Sequence, residues 1–317
     1  MDILSIMLTI LGLALFETIT SIDNAIINAE VLTKMSQRAR KWFLLWGLII
    51  AVFVVRGLLP ALIVYAANPS LGFGGVFTAM FSDDPAVQQA VEQSAPVLLI
   101  AGGVFLIFLF FHWLFMEHKH YGLFCEEFFV EQGVWFFAVV SILLTIITWY
   151  AINVDKMMAF GAVVGSTAFF IVHGFKQNAE IKEKELKESK EGSGAAGLSD
   201  LSKLLYLEVI DATFSIDGVV GAFAFTLFVP LILIGNGIGA FVVRELTIRN
   251  IENVKKYIYL KNGAMYSILF LGIIMILDSF GFHIPSWLSP VITFGVIGFF
   301  FWKSMRQVDV MKNAHTQ

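Results

Sequence analysis

Two short acidic phrases stand in otherwise apolar surroundings: Glu17-Thr-Ile-Thr-Ser-Ile-Asp23-Asn24 near the start, and Asp211-Ala-Thr-Phe-Ser-Ile-Asp217-Gly218 in the second half. Each ends in Ser-Ile-Asp, with another carboxylate six residues before the aspartate, and Glu208 precedes Asp211 by one helical turn. A carboxylate in hydrocarbon costs roughly 3 kcal/mol on translocon scales, so Glu17, Asp23, Glu208, Asp211 and Asp217 would together cost on the order of 15 kcal/mol if uncompensated. That matches the whole folding free energy of a typical domain, about 5–15 kcal/mol, so cations or protons must offset these groups. The donors on offer are oxygens: the five carboxylates, the Asn24 amide, and the hydroxyls of Thr20, Ser21, Thr213 and Ser215. Such a set suits a hard divalent cation, Mn2+, Ca2+ or Mg2+, whereas thiolate or imidazole, present in neither phrase, suits zinc or copper. Five carboxylates exceed the charge of one divalent ion, so some should bind protons when the ion leaves. Cation–proton exchange is the chemistry expected of them.

The elements that must position these groups are membrane helices. With 58% hydrophobic and only 15% charged residues, and a mean hydropathy of +0.80, the 317-residue chain belongs to the polytopic membrane class. A net charge of -4 gives no basic field for nucleic acid. Cys125 is the only cysteine, so no intrachain disulfide forms. The first apolar run is too long for a signal peptide and reads as a permanent first helix.

Apolar stretches near 3–32, 42–66, 96–116, 133–152, 157–175, 203–226, 228–243, 263–281 and 288–303 predict nine transmembrane helices, because lipid offers backbone groups no partner. The run from Leu204 to Val243 is about 60 Å long as one helix, twice the hydrocarbon thickness, so it crosses twice with Pro230 at the turn. Lys34, Arg38, Arg40 and Lys41 follow the first span, while 67–95 holds Asp83, Asp84 and Glu92 and no Lys or Arg. The positive-inside rule then puts the amino terminus outside and the carboxyl terminus in the cytoplasm of a cell (inner) membrane. Later basic segments agree, with Lys156 in an outer turn as the exception.

On this topology the first and sixth spans run in opposite directions, the arrangement of an inverted-topology repeat with its substrate near the midplane. Residues 1–175 form the first half and 203–317 the second, joined by a charged cytosolic linker at 176–202 to which no chemistry is assigned. Positions six apart on a helix differ by about 240°, so Glu17 shares a face with Ser21 and Asn24 but not Asp23, and Asp211 shares one with Ser215 but not Asp217. Two readings fit: the acids serve different neighbours, or each helix unwinds at Ser-Ile-Asp so that both acids join one site.

Weaker candidates surround this set. Arg56 and Asp278 could pair or gate a pathway, and Arg56 is the one clearly intramembrane basic residue of this reading. Asn236, within Gly235-Asn-Gly-Ile-Gly239, could line the cavity or mark close helix packing. His112 and His173 read as interfacial histidines. The stretch with Glu117, His118, His120, Cys125, Glu126 and Glu127 reads as a solvated inner loop, and Asn153 with Asp155 as an outer turn. The phenylalanines read as core and lipid-facing bulk.

The phrases Glu17…Ser21-Ile-Asp23-Asn24 and Glu208-Val-Ile-Asp211…Ser215-Ile-Asp217 resemble those of the TerC family of integral membrane proteins, in the wider LysE-type exporter group. The resemblance implies metal-ion efflux, manganese leading, with Glu17, Asp23, Asn24, Glu208, Asp211 and Asp217 as metal ligands. The expected function is therefore a secondary transporter exporting a divalent cation. A non-transport scaffold or assembly factor with a structural cation, and an exporter of small organic solutes, are the alternatives. No zinc-ligand His motif or nucleophile constellation points to an enzyme. The metal ion and membrane lipids are the expected partners, and an oligomer is left open.

Overall fold

Backbone groups facing lipid must be satisfied within their own segment, and the chain meets this demand with helices alone. The computed structural model describes residues 2–33, 35–47, 85–188, 200–249 and 254–314, with isolated positions from 50 to 75. Among the described residues the elements are α1 (Ile3–Thr20), α2 (Ile22–Thr33), α3 (Gln37–Trp42) with a π-helical turn at Phe43–Gly47, α4 (Pro85–Met116), α5 (Cys125–Glu131), α6 (Trp135–Val154), α7 (Lys156–Glu188), α8 (Asp200–Ala222), α9 (Val229–Arg249), α10 (Leu260–Ser279) and α11 (Leu288–Ala314). No strand occurs among them.

Among the described residues, seven stretches are long and apolar enough to cross a membrane: Ile3–Thr20, Ser94–Met116, Trp135–Val154, Lys156–Asn178, Val229–Thr247, Leu260–Ser279 and Leu288–Val310. They coincide with seven of the nine expected spans. The expected sixth span falls on α8, a 23-residue helix that is not among the seven because Lys203, Glu208, Asp211 and Asp217 charge it. The expected second span, with Arg56, lies largely outside the described residues. Pro230 sits in the first turn of α9, where its missing N–H costs no hydrogen bond. The linker expected from residue 176 begins later, because α7 continues as one helix to Glu188.

Close approaches at glycines fix the helix directions. In α7, Gly161 lies against Val97 of α4 and Gly165 against Ala101, so these helices run parallel. Gly102 and Gly103 of α4 meet Met275, Ile276 and Gly272 of α10, an antiparallel crossing. Gly235 of α9 lies on Leu13 and Gly239 on Ala14 and Glu17, so α1 and α9 run parallel. The packing role expected of Gly235 and Gly239 is thus met. Phe105, Phe108, Phe136 and Phe169 fill the core between α4, α6 and α7, while Trp113 packs on Tyr266 of α10. The outward face of α6 exposes Phe137, Ile142, Ile146, Trp149 and Tyr150, as a lipid-facing helix should.

Candidate functional site

The first phrase sits where α1 gives way to α2. Thr18 and Thr20 each donate their hydroxyl to a carbonyl one turn back, Ala14 O at 2.7 Å and Phe16 O at 2.9 Å. Such back-bonding bends helices. Ser21 then departs from helical dihedrals for one residue, with φ -90° and ψ 2°, while its N–H still donates to Glu17 O at 3.1 Å, its carbonyl accepts from Ala25 N at 2.9 Å and its hydroxyl donates to Glu17 Oε1 at 2.8 Å. The second phrase behaves differently, since α8 runs unbroken through Ser215-Ile-Asp217. There the acids serve different neighbours. Asp211 Oδ1 accepts from Asn24 Nδ2 of α2, whereas Asp217 forms an ion pair with Lys176 of α7.

The two phrases lie side by side and antiparallel. Ascending α1 and α2, Gly12 meets Phe225, Phe16 meets Gly221, Glu17 meets Gly218 and Asn24 meets Asp211; Leu32 and Leu207 share a small apolar cluster beyond. The middle contacts are cross-related. Glu17, the leading acid of one phrase, reaches the residue after Ser-Ile-Asp in the other, so that a Cβ on Gly218 would lie 2.6 Å from Glu17 Oε2. Asp211, the leading acid of the second phrase, reaches Asn24, which follows Ser-Ile-Asp in the first.

Glu17 is 1% exposed, enclosed by Gly218 on one side and by Gly239 of α9 on the other. Asn24, Asn28, Ser215 and Asn236 are also buried. Glu208 Oε1 lies against Gly47, which has no room for a Cβ. Several buried oxygens here have no hydrogen-bond donor among the described residues: Asn24 Oδ1, Asn28 Oδ1, Glu208 Oε1, Asp217 Oδ1 and Asn236 Oδ1. Each orphaned acceptor costs about 1–3 kcal/mol, and a cation is one way of satisfying it. Ser215 donates to Asp211 O at 2.5 Å, so its hydroxyl, like that of Thr20, is engaged with backbone. The side chain of Asp23 lies outside the described residues, as does Arg56. Asp278 is exposed and lines a cleft with Thr226, Ser286 and Ser289, beyond the end of α8. Among the described residues, no three His, Cys, Asp or Glu side chains converge into a metal cluster.

Residues 22–310 match the family described as protein of unknown function (DUF475). The chain belongs to DUF475. The matched stretch begins just after Ser21 and takes in Asp23, Asn24 and the whole second phrase. No curated protein and no solved structure matches the chain.

This DUF475 protein holds functional candidates that sequence reasoning passed over. Lys176 was assigned to a solvated linker, yet it is a partly buried cation paired with Asp217. The periodicity of α7 carried the signal, since Ala162, Ser166, Phe169 and His173 define an inward face that Lys176 continues. Asn28 lies one turn beyond Asn24 on the same face. The inner loop is not simply solvated either. Glu126 is fully buried and accepts from Gly122 N at 2.7 Å and Asn262 Nδ2 at 2.9 Å, tying the loop to α10. Lys119 donates to the Trp113 and Leu114 carbonyls at the end of α4, and burial pushes its ammonium down to about 8 although Glu126 and Glu117 oppose this. At the expected outer turn, Asp155 accepts from Met157 N at 2.9 Å and Asn153 donates to Trp149 O at 2.7 Å.

Proposed function

We propose that this DUF475 protein is a secondary transporter that exports a divalent metal cation, manganese first among the candidates, in exchange for protons. The observation that carries the reading is the cross-related pair of contacts, Glu17 to Gly218 and Asp211 to Asn24. Antiparallel halves meeting at their acidic phrases are what an inverted repeat needs to hold an ion near the midplane. The oxygens of Asn24, Asn28, Glu208 and Asn236 that lack donors among the described residues supply the neutral and anionic ligands a hard cation takes. Glu17, Asp23 and Asp211 complete the proposed ligand set. Asp217, expected as a ligand, is given a different role here, the countercharge of Lys176. The TerC-like wording of both phrases supports manganese as the ion. The basic end, where Lys119, Lys261 and Lys303 gather, is taken as cytosolic, with the amino terminus outside.

Asp211→Asn separates charge from structure, because the amide oxygen still accepts from Asn24. In proteoliposomes containing a manganese-sensitive dye, this variant is expected to keep its thermal midpoint and lose transport by about tenfold or more. Transport at the wild-type rate would remove the acidic site from the mechanism. The scaffold reading is favoured by one observation, the Lys176–Asp217 pair, which compensates an acid within the protein. It predicts no manganese movement by the wild type.

A further inference from the structure

Outside the acidic site, a line of polar side chains runs from the basic end of the bundle toward Asp217. His112 of α4 and His173 of α7 face one another, ring centroids 3.8 Å apart and planes inclined by 50°. Toward the basic end, His112 Nδ1 lies 3.8 Å from Glu117 Oε1, and Glu117 Oε2 lies 2.8 Å from Lys261 Nζ of α10. In the other direction, Lys176 follows His173 by three residues, on the same side of α7, and pairs with Asp217 of α8. Phe136 of α6 meets the edge of His112, and Phe169 stacks on His173. The charged groups around the imidazoles are Glu117 from the loop, paired with Lys261 of α10, and Lys176 of α7, paired with Asp217 of α8. From α6, Phe136 packs on His112.

We propose that the His112–His173 pair is a proton-relay station between Glu117 at the basic end and the Lys176–Asp217 pair inside. The two rings are too close to carry a charge each, so the pair holds one proton at a time. A neutral imidazole takes a proton from hydronium at the Glu117 side, passes it to the facing ring and is neutral again when the proton moves on to the Asp217 carboxylate, since the Lys176 ammonium has no lone pair to accept it. One O–H bond breaks at entry, N–H bonds form and break within the pair, and one O–H bond forms at Asp217. The proton half of the exchange then has a route separate from that of the metal ion. Use of this route in transport rests on the exchanger reading above; the shared proton does not.

Two measurements on the full chain keep the two ideas apart. In nanodiscs, nitrogen NMR of labelled histidines, assigned with His112→Gln and His173→Gln, should show a single proton shared by the two rings across the accessible pH range. Removing either partner should leave a proton that belongs to the remaining ring alone. Two independent protonations in that range would overturn the relay, whatever the protein transports. In proteoliposomes with an internal pH dye, His112→Gln and His173→Gln should each slow manganese-driven proton movement by about tenfold or more. Their manganese affinity should be unchanged, and His118→Gln, at an exposed position, should behave as wild type. Wild-type proton movement in both pair variants would overturn the relay and leave the exchanger standing. Absence of manganese transport by the wild type would overturn the exchanger, and the histidine titration alone would then decide the shared proton.

Discussion

A buried carboxylate is defined by what surrounds it, and Glu17 is surrounded by glycine on both sides, Gly218 from α8 and Gly239 from α9. Gly218 therefore serves as space for an oxygen, 2.6 Å from where its own Cβ would stand. Gly218→Ala is expected to displace the Glu17 carboxyl, lower stability by about 1–3 kcal/mol in thermal unfolding, and reduce manganese transport more than it reduces the amount of folded protein. Transport that tracks the folded fraction would show that Glu17 has no place in the ion path. Glu117 illustrates the opposite case, a carboxyl at the rim of the bundle. Burial alone would raise it, but the His112 imidazole and the Lys261 ammonium outweigh burial and hold it below the ordinary carboxylate range. A carboxyl lowered in the folded state contributes stability above its unfolded value, near 4.5, and loses it as pH falls through the folded value. Glu117→Gln should thus cost about 1 kcal/mol at neutral pH, modest because the Lys261 pair is partly exposed. The difference from wild type should shrink as unfolding is followed below about pH 4.5. A difference that grows toward acid would reverse the assignment.

At the scale of elements, the ion pair between α7 and α8 is the link with the clearest energetic signature. Lys176 and Asp217 have side chains only 13% and 14% exposed, so Lys176→Met strands a buried carboxylate and should destabilise by about 3 kcal/mol. Adding Asp217→Asn should recover most of that loss in thermal unfolding, since the stranded charge is then gone. Additive losses would mean the two helices are held by other contacts. The helices themselves were legible in the sequence, because apolar length alone dictates α1, α4, α6, α7, α9, α10 and α11. So was the meeting of the two phrases, which followed from loop charge and repeated wording. The missed features share a physical cause. The pairing of Lys176 with Asp217 joins residues far apart in sequence, and a lysine at the end of an apolar run reads equally well as a snorkelling or a solvated residue. The behaviour at Ser-Ile-Asp also depends on details a pattern cannot carry. The first helix departs from helical dihedrals at Ser21 while the second phrase stays helical, although a hydroxyl is back-bonded in each.

The whole molecule presents two unlike ends, and their assignment to the two sides of a membrane can be tested with side chains it offers. At the basic end lie Lys119, Lys261 and Lys303, with Lys303 donating to the Gly122 carbonyl, and Cys125 is exposed in the same loop. Exposed Asn153 lies in the last turn of α6, at the opposite end of that helix from the loop. On the proposed topology the positive-inside rule puts Cys125 in the cytosol. A membrane-impermeant thiol reagent applied to intact cells should leave Cys125 unlabelled until the membrane is opened. Asn153→Cys in a Cys125→Ser background should be labelled from outside without opening. Labelling of Cys125 in intact cells would invert the molecule. It would place the Glu117–His112–His173 line on the outer side, and proton entry through it would then accompany cation uptake through the acidic phrases in place of export.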